Sequence, residues 1–406
     1  MKVYKVGGAI RDKLLGLAVK DQDWVVVGST AQQLIDLGYK PIGKDFPVFL
    51  HPDSKEEYAL ARTERKTAPG YKGFSFDTDK NVTLEEDLQR RDLTINALAE
   101  DEQSNIIDCF NGREDLEAGI LRHISPAFTE DPLRVLRVAR FAARFNFRVA
   151  DETKVLMKVI SESGELDTLV AERVWTELER ALCEAFPVRF FEVLRECGAL
   201  KRVFPEIDRL FGIPQPEKHH PEIDCGIHTL MVVEQACKLT SDPLIRFAAL
   251  VHDLGKGTTP EEQWPSHRGH EERSVGLIEK MCDRYRIPKS YRGLAVIVAR
   301  HHLDCHRIAE MRPDTILRKL EAMDAFRRPD RFEQFLIACE ADIRGRKGFE
   351  DRDYPQAAYL KSALEAASAI DTSSVQKEAM SGPEIAQVIG KLRVAAIEEV
   401  RRLANK

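Results

Sequence analysis

The sequence predicts an α+β protein, with a head built on a small mixed β-sheet followed by helical segments to its end. Three observations predict it. Short β-branched runs alternate with helical stretches only before about residue 110. Beyond Ser125-Pro126 nearly every segment follows helical spacing, with breaks at Gly212-Ile213-Pro214, Ile287-Pro288 and Arg312-Pro313. The chain has 406 residues, more than one ordinary domain holds.

Taken in order, residues 3–6, 24–27, 48–50, 58–61 and 105–108 read as strands, and 10–15 and 31–37 as helices. The polar, basic, glycine-containing stretch 62–79 reads as a mobile loop. Asn111-Gly112, just after Asp108, marks a strand–turn–helix junction with a structural role. The segment 213–223 holds three prolines and reads as a linker. A second helical unit follows over 225–345, and then a helical tail of mixed charge. The expected division is 1–139, 140–224, 225–345 and 346–406.

Composition narrows the function classes. Hydrophobic residues make up 43% and charged residues 32%, which is enough for a sizeable core in a soluble protein. No uncharged apolar run is long enough to span a bilayer, and Met1-Lys2-Val3-Tyr4-Lys5 is no signal peptide. Eight cysteines without a CxxC pair point to reduced thiols and a cytoplasmic setting. The formal net charge of −6 does not mark a nucleic-acid binder, although local basic patches still bind phosphate.

Three constellations carry chemistry. After Gly7-Gly8 and Arg11-Asp12 come Asp21 and Asp23, at the entry to the apolar run Trp24-Val25-Val26-Val27. Side chains two apart on a strand share a face. Paired carboxylates beside a glycine turn suit Mg²⁺ shared with substrate phosphates; a plain surface turn is the other reading.

Next, Arg90, Arg91 and Asp92 lead to Asn96. Paired guanidinium forks suit a triphosphate, and a solvated charge cluster is the competing reading. Then the run 130–145 carries Arg134, Arg137, Arg140 and Arg144, with Arg148 just beyond. At about 100° per residue these five span an arc of roughly 120° on one helix face. No acid lies between Pro132 and Arg148, so an anion is expected on that face. Asp131 is placed to cap this helix.

The third constellation is His252-Asp253 on a helix ending near Gly255, with His228 upstream and Asp342 downstream. His267, His270, His301, His302 and His306 could shape a phosphate site there. Imidazole with carboxylate suits a transition metal; a helical domain with incidental histidines is the alternative.

The segments GGAIRDKLLG, KDQDWVVVG, RRDLTINA and EDPLRVLRVARFAARF, in this order, resemble the bacterial CCA-adding enzymes, tRNA nucleotidyltransferases of the polymerase-beta-like superfamily. The resemblance covers essentially the whole chain. It implies a nucleotidyltransferase head over 1–139, a neck and body over 140–224, an HD phosphohydrolase domain over 225–345 and a C-terminal tail over 346–406. It implies that Asp21 and Asp23 hold Mg²⁺, and that Gly8 and Arg11 contact the incoming triphosphate. Arg91 and Asp92 would hold phosphate and ribose, Asp131 and Arg134 would pair with the base of CTP or ATP, and Arg137 and Arg140 would complete the site. The stretch 62–79 resembles the family's flexible loop, linked to the switch from C to A addition.

The order H…HD…D in the second unit resembles the HD phosphohydrolases. It implies that His228, His252, Asp253 and Asp342 ligate an ion such as Ni²⁺, Mn²⁺ or Zn²⁺ for hydrolysis of phosphomonoesters or 2′,3′-cyclic phosphates. The implied partners are the tRNA 3′ end, ATP and CTP, with no membrane, in a monomer or homodimer. Poly(A) polymerases share the head motifs, but they carry a basic tail, and the last twenty residues here mix Lys and Arg with Glu. A CC-only or A-only enzyme is a further alternative, as is a metal-dependent phosphohydrolase or RNA-binding module with an inactive transferase head.

Overall fold

The computed structural model describes residues 1–19, 22–42, 48–66, 74–371, 373 and 381–404. Asp21 and the centre of the 62–79 stretch lie outside the described residues. The chain forms two compact units, Met1–Val203 and Phe204–Lys406.

The first unit opens with β1 (Lys2–Val6), α1 (Gly8–Leu14), β2 (Asp23–Val27), α2 (Ala31–Asp36), β3 (Lys40–Ile42), β4 (Val48–Leu50) and β5 (Glu57–Leu60). There follow β6 (Thr63–Lys66), β7 (Phe74–Asp77), α3 (Leu84–Gln89), β8 (Leu98–Glu100), β9 (Ile106–Asp108), α4 (Gly112–Glu117) and β10 (Ile120–Leu121). The rest is helical apart from β11 (Arg148–Val149): α5 (Leu133–Phe145), α6 (Asp151–Ser163), α7 (Ala171–Cys183), α8 (Val188–Glu196) and α9 (Ala199–Val203).

Seven strands form a mixed sheet in the order β3-β4-β5-β2-β1-β8-β9, in which β2 and β5 run parallel and the other pairs antiparallel. The apolar run of β2 explains its central place. Val25 packs with Val6, Leu88 and Ala99 on one face, and Val26 packs with Leu34, Phe49 and Leu60 on the other. A strand buried on both faces reads as a continuous apolar run.

Each expected strand is present to within a residue or two. β3, β8, β10 and β11 were not expected. Lys40-Pro41-Ile42 contains a proline and sits at the sheet edge, where a missing N–H breaks no central ladder. The reading of 62–79 as a loop is corrected at both ends. β6 and β7 pair antiparallel from Thr63↔Asp77 to Lys66↔Phe74. The alternation Phe74-Ser75-Phe76 has strand period, and the basic residues before it obscured that signal.

The second unit is helical: α10 (Pro205–Asp208), α11 (Cys225–Leu239), α12 (Pro243–Val251), α13 (His270–Tyr285), α14 (Lys289–His306), α15 (Pro313–Ala322), α16 (Pro329–Arg344), α17 (Pro355–Ser368) and α18 (Gly382–Ala404). α11, α12 and α16 meet over Val232, Ala236, Ala249 and Ala341. Small side chains there let three backbones approach. The expected linker 213–223 is instead packed into this unit. Pro214 bridges to Asp224, and buried Gln215 accepts a hydrogen bond from Lys256 Nζ at 2.7 Å. Among the described residues, no helix is long and apolar enough to cross a membrane.

The α5–α8 packing makes one prediction. Phe190 is fully buried, edge-on to Phe191. Phe190→Ala should cost about 3–5 kcal/mol, read as a lowered denaturant midpoint for the first unit.

Candidate active sites

At the end of β1, Gly7 (φ 74°) turns the chain into α1. A Cβ there would stand 2.9 Å from Arg91 Nη1, so the backbone angle and the close approach both call for glycine. Asp23 opens β2 and pairs in register with Val6. Gly8 and Asp23 therefore stand at the same end of neighbouring strands.

Both line a cavity of about 500 Å³. The same cavity is lined by Arg11, Arg91, Asp92, Asp131, Arg134, Arg137 and Arg140. The fold thus brings together every expected nucleotide-site residue and the described one of the two expected metal carboxylates. Among the described residues, nine arginines against three aspartates line the space. Such an excess of cations in a concave site favours a polyanion. An oxygen-only donor such as Asp23 fits Mg²⁺, which takes its remaining ligands from phosphates and water.

Two expectations about α5 are corrected. Asn146 in the left-handed region ends the helix, so Arg148 falls on β11 and four arginines remain on the stripe. Nor is the stripe a bare positive face. Arg137 Nε donates to Asp92 at 2.7 Å, Arg140 Nε to Glu177 at 2.6 Å, and Arg144 Nη2 to Asp12 at 2.8 Å. Arg134 donates to the carbonyls of Ala127 and Arg90. The compensating acids come from distant elements, which a scan of 130–148 could not reveal.

The Phe141 ring lies under the Arg140 guanidinium at 4.4 Å and the Arg11 guanidinium at 5.1 Å. Arg11 also bonds Asn96 and Asp12. A guanidinium has five donors, so these pairs fix each cation without using it up. Sequence reasoning missed Glu177 and the cavity-lining Arg173 and Arg180. Glu177 falls at helical spacing from them, but nothing local marked it as Arg140's partner.

Asp131 caps α5 as expected, accepting from Leu133 N at 3.0 Å, while its other oxygen accepts from Arg173 at 3.3 Å. Burial alone would raise the Asp92 carboxyl, but Arg137, Asn96 and Arg134 hold it well below the usual carboxylate range.

The second site lies where α11, α12 and α16 converge. His252 caps α12, which ends at Val251 rather than near Gly255. His228 Nε2 lies 3.0 Å from Asp342 Oδ1, and His252 Nε2 lies 3.1 Å from Asp253 Oδ2 and 3.7 Å from Asp342 Oδ1. All four expected ligands are buried and converge. Their Nδ1 atoms face backbone oxygens: His228 faces Gly345 at 3.2 Å, and His252 faces Ala249 at 2.8 Å. That arrangement turns each Nε2 lone pair inward, as in metal sites. The donor set fits a divalent transition ion, and buried His252 Nε2 makes no hydrogen bond among the described residues.

The other histidines divide. His306 Nε2 bonds Asp342 Oδ2 at 2.6 Å, and His270 and His302 face Asp253. His267 is turned to the Pro214 carbonyl and His301 to Asp304. Lys256 Nζ, 2.6 Å from Asp253 Oδ2, and Glu222, 3.0 Å from His228 Nδ1, were not anticipated. Lys256 lies one turn beyond Asp253, a spacing that could have flagged it.

Residues 3–122 match the poly A polymerase head domain family, 146–211 the family described as "Probable RNA and SrmB-binding site of polymerase A", and 226–328 the HD domain family. The chain is similar to the multifunctional CCA protein of Thioalkalivibrio sulfidiphilus, 63% identical over 99% of both chains. It is similar to that of Nitrosococcus oceani, 61% identical over 98% of both. In fold it resembles an apo form of a CCA-adding enzyme, with TM-score 0.66 and 20% identity over 100% of this chain and 92% of the other.

The Asp92 carboxylate makes a pH prediction. Its folded value is depressed, so the unfolded chain takes up the proton first. The stability it contributes is present above the unfolded value of about 3.9 and is lost as pH falls through the folded value. Denaturant midpoints measured from pH 7 down to pH 3 should therefore fall less steeply for Asp92→Asn than for the parent. Equal slopes would contradict the ion-pair assignment.

Proposed function

Because the chain belongs to the family of multifunctional CCA proteins, we propose that it adds and repairs the 3′-terminal CCA of tRNA from CTP and ATP, releasing pyrophosphate. Its HD unit then hydrolyses phosphomonoesters or 2′,3′-cyclic phosphates. The observation that carries the first activity is the arginine-lined cavity holding Asp23, Asp131 and Arg134 together. The division into head 1–139, neck and body 140–224, HD domain 225–345 and tail 346–406 is proposed with it, supported by the three family matches. A cytoplasmic setting suits tRNA repair and eight free cysteines.

In this reading Asp21 and Asp23 would hold Mg²⁺, and once bound it would supply charge that lowers the pKa of the attacking 3′-hydroxyl and offsets charge on the departing pyrophosphate. The chain's own residues do the rest by positioning and charge. Arg11 and Arg91, beside the Gly7-Gly8 turn, receive the triphosphate, and Arg137 and Arg140 approach it already fixed by Asp92 and Glu177.

Asp131 and Arg134 read the base. Cytosine and adenine both present an exocyclic amine that a carboxylate accepts, where uracil and guanine present a carbonyl oxygen. An acceptor facing Asp131 would leave both groups unpaired, which discriminates strongly. Both reader side chains are held by backbone contacts, so the template is preorganised. In the HD unit, His228, His252, Asp253 and Asp342 would hold a divalent ion such as Ni²⁺, Mn²⁺ or Zn²⁺, which supplies Lewis-acid polarisation of a phosphate ester. Lys256 and His306 fix the ligand carboxylates.

Incorporation of labelled CTP and ATP into tRNA transcripts ending before C, after C and after CC tests the reading. Addition should stop at CCA; unlimited A addition would indicate a poly(A) polymerase instead. Asp23→Ala should abolish both additions and spare hydrolysis of a 2′,3′-cyclic phosphate, while His252→Ala should do the reverse.

A further inference from the structure

One arginine of the first unit's cavity differs from all the others. Among the described residues nine arginines line that space, and eight of them are held by a carboxylate or a backbone oxygen. The ninth, Arg180 in the last turn of α7, is exposed and makes no hydrogen bond or ion pair among the described residues. The last turn of a helix suits a cation, but that alone does not require the side chain to line a cavity.

Its place in the cavity follows from how α7 lies along α5. At about 100° per residue, Arg173, Glu177, Arg180 and Glu184 fall within roughly 60° of one helix face. Three of the four meet α5 or the residue that caps it, in chain order. Arg173 lies 3.3 Å from Asp131, Glu177 lies 2.6 Å from Arg140 and 3.9 Å from Arg137, and Glu184 lies 3.8 Å from Arg140. The two helices therefore run in the same direction, and Arg180 stands between the Glu177 and Glu184 contacts.

Asp131 marks the base end of the nucleotide in the reading above. At about 1.5 Å per residue, Arg180 lies roughly 10 Å farther along α7 than Arg173, the partner of Asp131. That direction leads to the triphosphate end, where Asp12 joins Arg144 to Arg11 beside the Gly7-Gly8 turn. An arginine pinned by an acid has part of its charge already answered, whereas Arg180 brings a full one. The terminal phosphate is the most highly charged group of a nucleoside triphosphate, and a guanidinium meets its oxygens with a fork of two donors.

We propose that Arg180 binds the terminal phosphate of the incoming CTP or ATP, and so distinguishes a triphosphate from a diphosphate. The inference deepens the nucleotidyltransferase reading above and rests on it.

The test is calorimetric binding of CTP and of CDP to the full chain with Mg²⁺ and without tRNA, so that no transfer occurs. KM for tRNA is measured separately by turnover. Arg180→Ala should weaken CTP binding by roughly ten- to a hundredfold, the worth of hydrogen bonds between charged groups. CDP affinity should hold steady, which also shows the fold intact, and the KM for tRNA should not move. Arg180→Lys should recover part of the preference for CTP, because an ammonium keeps the charge but not the fork. An unchanged preference for CTP over CDP in Arg180→Ala would overturn the assignment and leave the nucleotide reading intact. So would a raised KM for tRNA at unaltered CTP affinity, which would place Arg180 on the RNA backbone instead. No CTP binding by the parent chain would overturn both.

Discussion

Four arginines share one half-buried face of α5, three answered by carboxylates and the fourth, Arg134, by backbone carbonyls. The rest of the first unit is arranged around those contacts. Asp12 comes from α1, Asp92 from the turn after α3 and Glu177 from α7, each meeting a different guanidinium. Breaking the buried Arg140–Glu177 pair is expected to cost about 3–5 kcal/mol, because the remaining charge stays desolvated. The pairs therefore tie the sheet to the helices behind it, and they leave a cavity in which cations still outnumber anions. That surplus is what a triphosphate would neutralise.

The second unit meets a different constraint. The proposed metal centre would need imidazoles and carboxylates brought to one point from helices far apart in the chain. Alanines at the α11, α12 and α16 crossing permit the approach, and Gly345 extends it, since a Cβ there would lie 2.5 Å from Val232. Backbone oxygens then orient the rings. The loop 213–224 completes the wall with Gln215 and Glu222, although its prolines suggested a mere connection.

Much of this was legible in the sequence where the signal was local. The β2 strand, the α5 arginine spacing and the His252-Asp253 pair are contiguous patterns: β2 falls where expected, four of the five arginines lie on α5, and His252-Asp253 stands just past the end of α12. What was hidden depended on long-range pairing. The β6–β7 hairpin was masked by basic residues. The partners of Arg137 and Arg140 lie 45 and 37 positions away in sequence. Arg148 was assigned to the helix because angular spacing ignores a left-handed residue at Asn146.

The central claim is that a pinned carboxylate and a pinned guanidinium select the base without a nucleic-acid template. Its most direct measurement is kcat/KM for CTP, UTP, ATP and GTP on the proper tRNA ends, in the parent chain and in Asp131→Asn and Arg134→Ala. The account predicts that preference for CTP over UTP falls by roughly ten- to a hundredfold in either variant, the worth of one good base contact. Selectivity unchanged in both variants, with only the overall rate reduced, would contradict it.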